Sequence, residues 1–405
     1  MSRSKEIFKS MDPNKVKIFA CGPSIYQRPH IGNYRTFIYE DILIKYLEYM
    51  GYKVKHSSIL TDIEDKAISE AAKKKRKVSD LTNNAAEIFF REASLLKIKI
   101  PSPMPRSSTS IKHSAFLIKQ LMDKGFAYRY KNDIFFDPLK YKEFGKLFRL
   151  DMNRWPKKKT RFKRDTYTGR RWNLGDFILW HGYREGDTAA WDTEIGKGRP
   201  AWNIQDPAVI IQNLGNSIDI NCGGIDNIYR HHDYTIAIME SISGKSYANY
   251  YLHGEHLIAN GKSMSKSRGN ILYPENMLKN KYQPYHLRFF LLHKHYRKKL
   301  NLTDEKYNKS SEYIDAIRLL VQNLIKQDNK CKKSGGKSKE LILRIKEEFE
   351  KHMNDDLSPG TAIDSIFLLL KELKSEKDNA GLDSKQSVMI EKYLRKIDLV
   401  LGVIF

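Results

Sequence analysis

Residues 16 to 60 commit the chain to a parallel sheet. Residues 16–21 (VKIFAC) are apolar and partly β-branched and stop at Gly22-Pro23, the pattern of a buried strand ended by a turn. From residue 34 to residue 50, Phe37, Ile38, Asp41, Ile42, Leu43, Tyr46 and Leu47 recur at helical spacing, and Gly51 closes the helix as a C-terminal cap. Residues 53–60 (KVKHSSIL) alternate and predict the next strand. Strand, helix and strand in so short a stretch form a βαβ unit, whose crossover joins parallel strands.

Helices are predicted over residues 80–98 and 110–124. Two short strands over 126–137 flank Lys131-Asn132-Asp133, a hairpin signal. Residues 141–202 are irregular, with many Gly, Arg and Trp, which suggests an insertion into the sheet domain rather than a new core. Strand signals return at 208–211, 217–221 and 250–258. From Asp304 onward the pattern is wholly helical, over 304–326, 339–353, 362–373 and 384–400, with a loop at Ser334-Gly335-Gly336.

The 72 Lys and Arg outnumber the 48 Asp and Glu, giving a net charge of +24. The basic residues cluster at 73–77, 157–171 and 330–339, which fits a phosphate-rich partner; a solvated lysine-rich surface has the same composition. No run of about 18 apolar residues is present, so no membrane helix is expected. The N-terminus lacks the apolar segment of a secretory signal, and a cytoplasmic location is expected. Cys21, Cys222 and Cys331 are too few for a disulfide framework.

Three segments carry chemistry. Pro29-His30-Ile31-Gly32-Asn33 sits after a strand and before a helix, where unpaired N–H groups and the positive dipole end suit phosphate. His30 can donate to the same phosphates, and Gly32 leaves room for a flat adenine on the backbone. Gly261–Asn270 (GKSMSKSRGN) is a glycine-bounded loop in which Lys266 can neutralise charge building on an α-phosphate. Gly223-Gly224-Ile225-Asp226 lets backbone approach a ligand, and Asp226 can accept from a ribose hydroxyl or an ammonium. Each alone is a common loop.

In this order and spacing the three resemble the HIGH and KMSKS signatures of class I aminoacyl-tRNA synthetases, with the ribose-side glycine loop between them. Further segments resemble cysteinyl-tRNA synthetases: Cys21-Gly22-Pro23-Ser24-Ile25-Tyr26, Thr61-Asp62-Ile63-Glu64-Asp65-Lys66, Trp191-Asp192, Gly198-Arg199-Pro200-Ala201-Trp202, His231-His232 and Met353-Asn354-Asp355-Asp356-Leu357. The resemblance runs from about residue 16 to the end of the sequence. It implies an α/β fold: a Rossmann-like parallel-sheet catalytic domain over residues 1–260, with an insertion at about 90–200. A KMSKS and stem-contact region over 261–303 and an α-helical bundle over 304–405 would follow.

The resemblance also implies the chemistry. An amino-acid carboxylate attacks the α-phosphate of ATP, which carries Mg²⁺, and gives an aminoacyl-adenylate and pyrophosphate. The aminoacyl group then passes to tRNA. His30, Asn33 and Lys266 would be the catalytic residues, and Gly32, Gly224, Asp226 and Ser267 would complete the ATP contacts. Cys21, Gly22, Thr61, Trp202, Asn203, Asp206, Asn221, His231 and Thr235 would line the amino-acid pocket.

The chain departs from the family in three places. Ser263 stands where the family usually has the first loop lysine. The family's zinc ligands are Cys, Cys, His and Glu, and those positions are here Cys21, Asp206, His231 and Thr235. Losing a sulfur ligand and a carboxylate together weakens a tetrahedral site, so the expectation is that zinc is gone and that the pocket takes a polar or cationic side chain. The other reading is a rebuilt zinc site of Cys21, Cys222, His231 and Asp206. Third, the sequence stops about where the bundle ends, so usual anticodon reading is not expected. The mycothiol-pathway cysteine ligase, of similar length, suggests the alternative of a tRNA-independent ligase that joins an activated amino acid to a small amine.

Overall fold

The computed structural model describes residues 2–162, 174–279, 281–326 and 336–405, with the backbone alone at Lys266 and Ala380. Cys331, Ser334, Gly335 and the basic residues between 163 and 171 and between 330 and 335 lie outside that set. The exposed cluster at 73–77 lies within it.

Lys15–Ala20 (β1), Ile31–Tyr49 (α1) and Lys53–Ser57 (β2) form the expected βαβ unit, and β1 runs parallel to β2 with Lys15 opposite Lys53. Asp65–Lys73 (α2), Val78–Leu95 (α3) and Ile111–Asp123 (α4) follow. Ala127–Tyr130 (β3) and Asp133–Phe136 (β4) make the hairpin, turning through Lys131 at φ 54°. Residues 141–202 supply three more strands, Arg161–Phe162 (β5), Asp176–Gly182 (β6) and Gly198–Pro200 (β7). With the hairpin they form a second sheet in the order β3-β4-β6-β5, with β7 on β6.

Trp202–Leu214 (α5) corrects the strand expected at 208–211. Ala208, Val209 and Ile210 are apolar in a row because this helix is buried on most sides, so periodicity could not tell it from a buried strand. Ile218–Gly224 (β8), Asp233–Ser243 (α6) and Ala248–Gly254 (β9) complete the main sheet, in the order β2-β1-β8-β9. The run at 250–258 is two elements: β9, and Leu257–Ala259 (β10) in a separate small sheet with Lys262–Ser263 (β11) and a later strand. Asn260 and Gly261, at φ 50° and 75°, make the two-residue turn between β10 and β11.

Pro274–Met277 (α7), Pro284–His293 (α8) and Leu300–Leu302 (β12) lead to four long helices, Asp304–Ile325 (α9), Gly336–Asn354 (α10), Pro359–Ala380 (α11) and Ser384–Leu401 (α12). Thr303 caps α9 by accepting from the Lys306 N–H at 3.2 Å, and Asp383 caps α12 through the Gln386 N–H at 2.8 Å. In α10, Leu341, Ile342, Ile345, Phe349 and Met353 form the buried stripe. No helix among the described residues is long and apolar enough to cross a membrane.

The contacts divide the chain into two compact units. The first is Met1–Pro29, Lys53–Arg91 and Ile100–His253; the second is His30–Tyr52, Glu92–Lys99 and Gly254–Phe405. In the first, one apolar cluster joins the insertion strands to the helices around them. Phe136, Phe177 and Leu179 pack with Ile118 of α4, Ala208 of α5 and Tyr234 of α6.

In the second unit α1 is held by two buried arginines. Arg35 donates to the carbonyls of Glu255 and His256, both at 2.8 Å, and to those of His295 and Lys298. Arg288 on α8 is 1 % exposed and donates to Asp41 Oδ2 at 2.6 Å, Leu401 O at 2.6 Å and Leu96 O at 2.7 Å. The Met353–Leu357 motif has a related structural use. The Asp356 carboxylate accepts from Arg297 Nε at 2.7 Å and from the Tyr296 hydroxyl at 2.8 Å. Replacing Arg288 by leucine strands the Asp41 carboxylate beside a single remaining cation, Lys45, and orphans the carbonyls of Leu401 and Leu96. The expected cost is about 3–5 kcal/mol in urea unfolding; a midpoint equal to that of the wild type would contradict this role.

Candidate active site

The first unit builds its site at the carboxyl ends of β1 and β8. β2 lies on one side of β1 and β8 on the other, and β1 is parallel to both. The chain therefore leaves the end of β1 in one direction and the end of β8 in the opposite one, which opens a crevice where open α/β sheets take ligands. Cys21 and Gly22 follow β1 directly. A Cβ on Gly22 would fall 1.7 Å from the carbonyl oxygen of Ile59, so only glycine fits there. Thr61 holds the same turn by backbone alone: its N–H donates to Pro23 O at 3.1 Å, and its carbonyl accepts from the Ile25 N–H at 3.0 Å.

At the end of β8, Gly224 N–H donates to Asn227 Oδ1 at 2.8 Å. A Cβ on Gly224 would lie 2.6 Å from Asp226 Oδ1, and one on Gly223 would lie 3.0 Å from the His232 ring. The Asp226 carboxylate and the histidine therefore lie close against the strand end.

Beside them is a cluster of metal-type donors. Cys21 Sγ is 3.2 Å from His232 Nε2 and 3.8 Å from Asp206 Oδ2, and that same Asp206 oxygen is 2.9 Å from His231 Nε2. The Cys21 sulfur and one ring nitrogen each of His231 and His232 all lie within 4.8 Å of one another. Trp202 and Asp206 are one turn apart on α5 and so share a face. The indole packs on the His231 ring with centroids 4.4 Å apart, while the carboxylate meets its nitrogen. A kink positions the histidines: Arg230 is at φ 69° just before them. His232 is fully buried, and burial, then the neighbouring His253 and His231, holds it well below the usual histidine range, so its ring is neutral. Its Nδ1 is 2.8 Å from His253 Nε2, which orients the ring and leaves Nε2 towards Cys21.

Several residues expected in the pocket make bonds elsewhere, although Asn203 Oδ1 and Asn221 Nδ2 are buried with no partner among the described residues. Asn203 Nδ2 donates to Ile178 O at 2.9 Å, Asn221 Oδ1 accepts from the Tyr247 hydroxyl at 3.0 Å, and Thr235 Oγ1 donates to His231 O, four residues back, at 2.9 Å. Cys222 stands opposite Ala20 in the β1–β8 register, and its sulfur is outside the donor cluster. His253 and Tyr247 are the residues that the sequence did not point to; His232 was marked only as half of the His231-His232 pair and not as a member of the pocket. The doubled histidine at 231 and 232 was the available signal; nothing local marks His253 or Tyr247.

The second unit joins the two signature loops. His30 is the N-cap of α1: its Nδ1 accepts from the Gly32 N–H at 3.1 Å, and its own N–H donates to Asn33 Oδ1 at 3.0 Å. Burial lowers the His30 pKa, so the ring is neutral, and with Nδ1 accepting, its proton lies on Nε2 as a donor. A Cβ on Gly32 would come within 2.8 Å of the His30 ring and 3.0 Å of Met264 Cε, so the glycine sets how closely the Gly261–Asn270 loop approaches the helix start. Ile31 N–H donates to Leu272 O at 3.0 Å, which fixes the chain leaving that loop. Within the loop Lys266–Arg268 is a 3-10 turn, Ser265 N–H donates to Asn270 Oδ1 at 2.9 Å, and Ser265 and Ser267 hydroxyls are 3.2 Å apart.

Residues 7–312 match the family model described as tRNA synthetases class I (C) catalytic domain. The cysteine--tRNA ligase of Chlamydia pneumoniae is 34% identical over 409 residues, covering 100% of this chain and 85% of the relative. That of Leptospira interrogans serovar Lai is 32% identical over 408 residues, covering 100% and 86%. Among solved structures, the Mycobacterium tuberculosis methionyl-tRNA synthetase bound by methionyl-adenylate superposes with a TM-score of 0.70 at 14% identity. It covers 95% of this chain and 90% of its own, and it establishes the fold alone. The chain belongs to the class I tRNA synthetases, in the cysteine--tRNA ligase family.

Proposed function

We propose that the protein uses ATP to activate an amino acid as its adenylate and then transfers the aminoacyl group to tRNA. The observation that carries this reading is the meeting of Gly32 and Met264, which sets the His30 cap against the Gly261–Asn270 loop. His30 Nε2–H and the amide nitrogen of Asn33 can donate to the triphosphate. Lys266 meets charge that grows on the α-phosphate, and Ser267 offers a further donor. In the first unit, Asp226 offers an acceptor of the kind that suits a ribose hydroxyl beside Gly224, and Mg²⁺ accompanies ATP. Relatives named as tRNA ligases along the whole chain weigh against the small-amine acceptor.

For the amino acid we propose cysteine. The donor set of one cysteine sulfur, one carboxylate and two imidazoles is of the kind that zinc takes, so the residues fit the family's metal, with His232 in the set and the Thr235 hydroxyl bonded to His231 O. Cys21, Asp206 and His231 would hold it, with His232 completing the set. When bound, Zn²⁺ supplies a Lewis-acid centre that takes a thiol as thiolate. Trp202 orients His231, and His253 orients His232. For the competing pocket, Thr235 spends its hydroxyl donor on a backbone carbonyl, while Asn203 Oδ1 and Asn221 Nδ2 are buried with no hydrogen-bond partner among the described residues.

Two experiments test these readings. ATP–pyrophosphate exchange across a panel of amino acids, with charging of total tRNA, is expected to give cysteine as best substrate and cysteinyl-tRNA as product. Exchange that prefers a polar amino acid would overturn the substrate, and adenylate formation without any charging would overturn the acceptor. Metal analysis of purified protein is expected to give about one zinc per chain. Cys21→Ser and His232→Ala should lower it, and Thr235→Val should leave it unchanged. Cobalt substitution should add a sulfur-to-metal absorption band that Cys21→Ser removes. Metal-free protein with full exchange activity would contradict the site.

A further inference from the structure

The signature loop carries Ser263 where its family usually carries a lysine, and the structure shows which group stands there instead. Ser263 ends β11, opposite Ile258 of β10. Five residues on, Arg268 returns to it: Nη1 donates to Ser263 Oγ at 2.6 Å and to Ser263 O at 3.1 Å. Asn270 Nδ2 donates to the same carbonyl at 3.2 Å. The 3-10 turn Lys266–Arg268 carries the chain round for the arginine contact, and Gly269 at φ 62° precedes the asparagine contact. Two contacts use only one of the three guanidinium nitrogens. Nη2 and Nε have no protein partner among the described residues.

We propose that Arg268 supplies the loop's second positive charge, standing in for the lysine absent at 263, and that its open Nη2 and Nε donors bind the β- and γ-phosphates of ATP and the leaving pyrophosphate. This rests on the ATP-dependent reading above. A guanidinium is charged at every working pH and presents paired N–H donors that match phosphate oxygens, so it does more than replace a point charge. Ser263 becomes the anchor of that charge rather than its source. Lys262, the neighbouring cation, pairs with Ala259 in the adjoining register position, and successive strand residues face opposite ways, so it does not share the side of Ser263 and Arg268.

The test is a charge transplant in the full chain. Arg268→Leu is expected to slow ATP–pyrophosphate exchange by about ten- to a hundredfold, the range for loss of one charged donor to a transferring phosphoryl group. The double variant Ser263→Lys with Arg268→Leu should recover to within about threefold of wild type, since it returns the charge from the other position. Lys262→Ala should remain near wild type. Equilibrium binding of inorganic pyrophosphate, which needs no amino acid, is measured alongside and should weaken in Arg268→Leu and return in the double variant. Wild-type chain that binds pyrophosphate through Arg268 but shows no exchange would sink the activation reading and leave this one standing. Arg268→Leu at wild-type rate and affinity would overturn the proposal. So would a loss that the double variant fails to repair while both variants unfold at the wild-type midpoint, since Arg268 would then be only a structural clip.

Discussion

The second unit depends on Arg35. Its guanidinium sits on α1, 3 % exposed, and its donors reach four backbone carbonyls on either side of the signature loop in sequence: Glu255 and His256 before it, His295 and Lys298 after. Buried carbonyls need partners, and one planar fork satisfying four of them leaves little freedom in how the loop's flanks meet the helix. Because Arg35 lies just over one turn from His30, that restraint carries to the His30 cap. Asp41 and Arg288 extend it along the same helix to the carbonyls at Leu96 and Leu401. These polar groups trade solvation for geometry: a helix start and a mobile-type loop must return to the same separation in every molecule.

The first unit solves a different problem with glycine and histidine. Gly22 is required because a side chain there would strike the Ile59 carbonyl, and Gly223 and Gly224 lie close under the His232 ring and the Asp226 carboxylate. The close approach this permits places a sulfur, a carboxylate oxygen and two imidazoles together in a buried crevice. Burial keeps His232 neutral, the form that can offer a lone pair, and the His253 contact decides which nitrogen does so.

Local pattern made much of the fold legible. Strand β1, helix α1 and the four long C-terminal helices follow directly from apolar spacing. Helix α5 was not legible, because a helix buried on most sides shows no polar face and its run of Ala208, Val209 and Ile210 imitates a strand. The short strands β5 to β7 were also hidden, since their pairing is decided by partners far away in sequence. Of the site, Cys21, Asp206 and His231 could be named from position, but His253 could not. Its role arises from β9 ending beside a histidine 21 residues earlier, a tertiary fact with no local signal. Likewise Ser263 was visible as a gap, and Arg268 as the group that fills it was not, because only the turn of the loop brings the two together.

The claim on which the rest stands is that adenylate chemistry occurs where the His30 cap meets the Gly261–Asn270 loop. The most direct measurement is the single-turnover rate of adenylate formation in Lys266→Ala, with folding checked by its unfolding midpoint. The account predicts a fall on the order of a hundredfold, from loss of the group that meets α-phosphate charge in the transition state; an unchanged rate would contradict it.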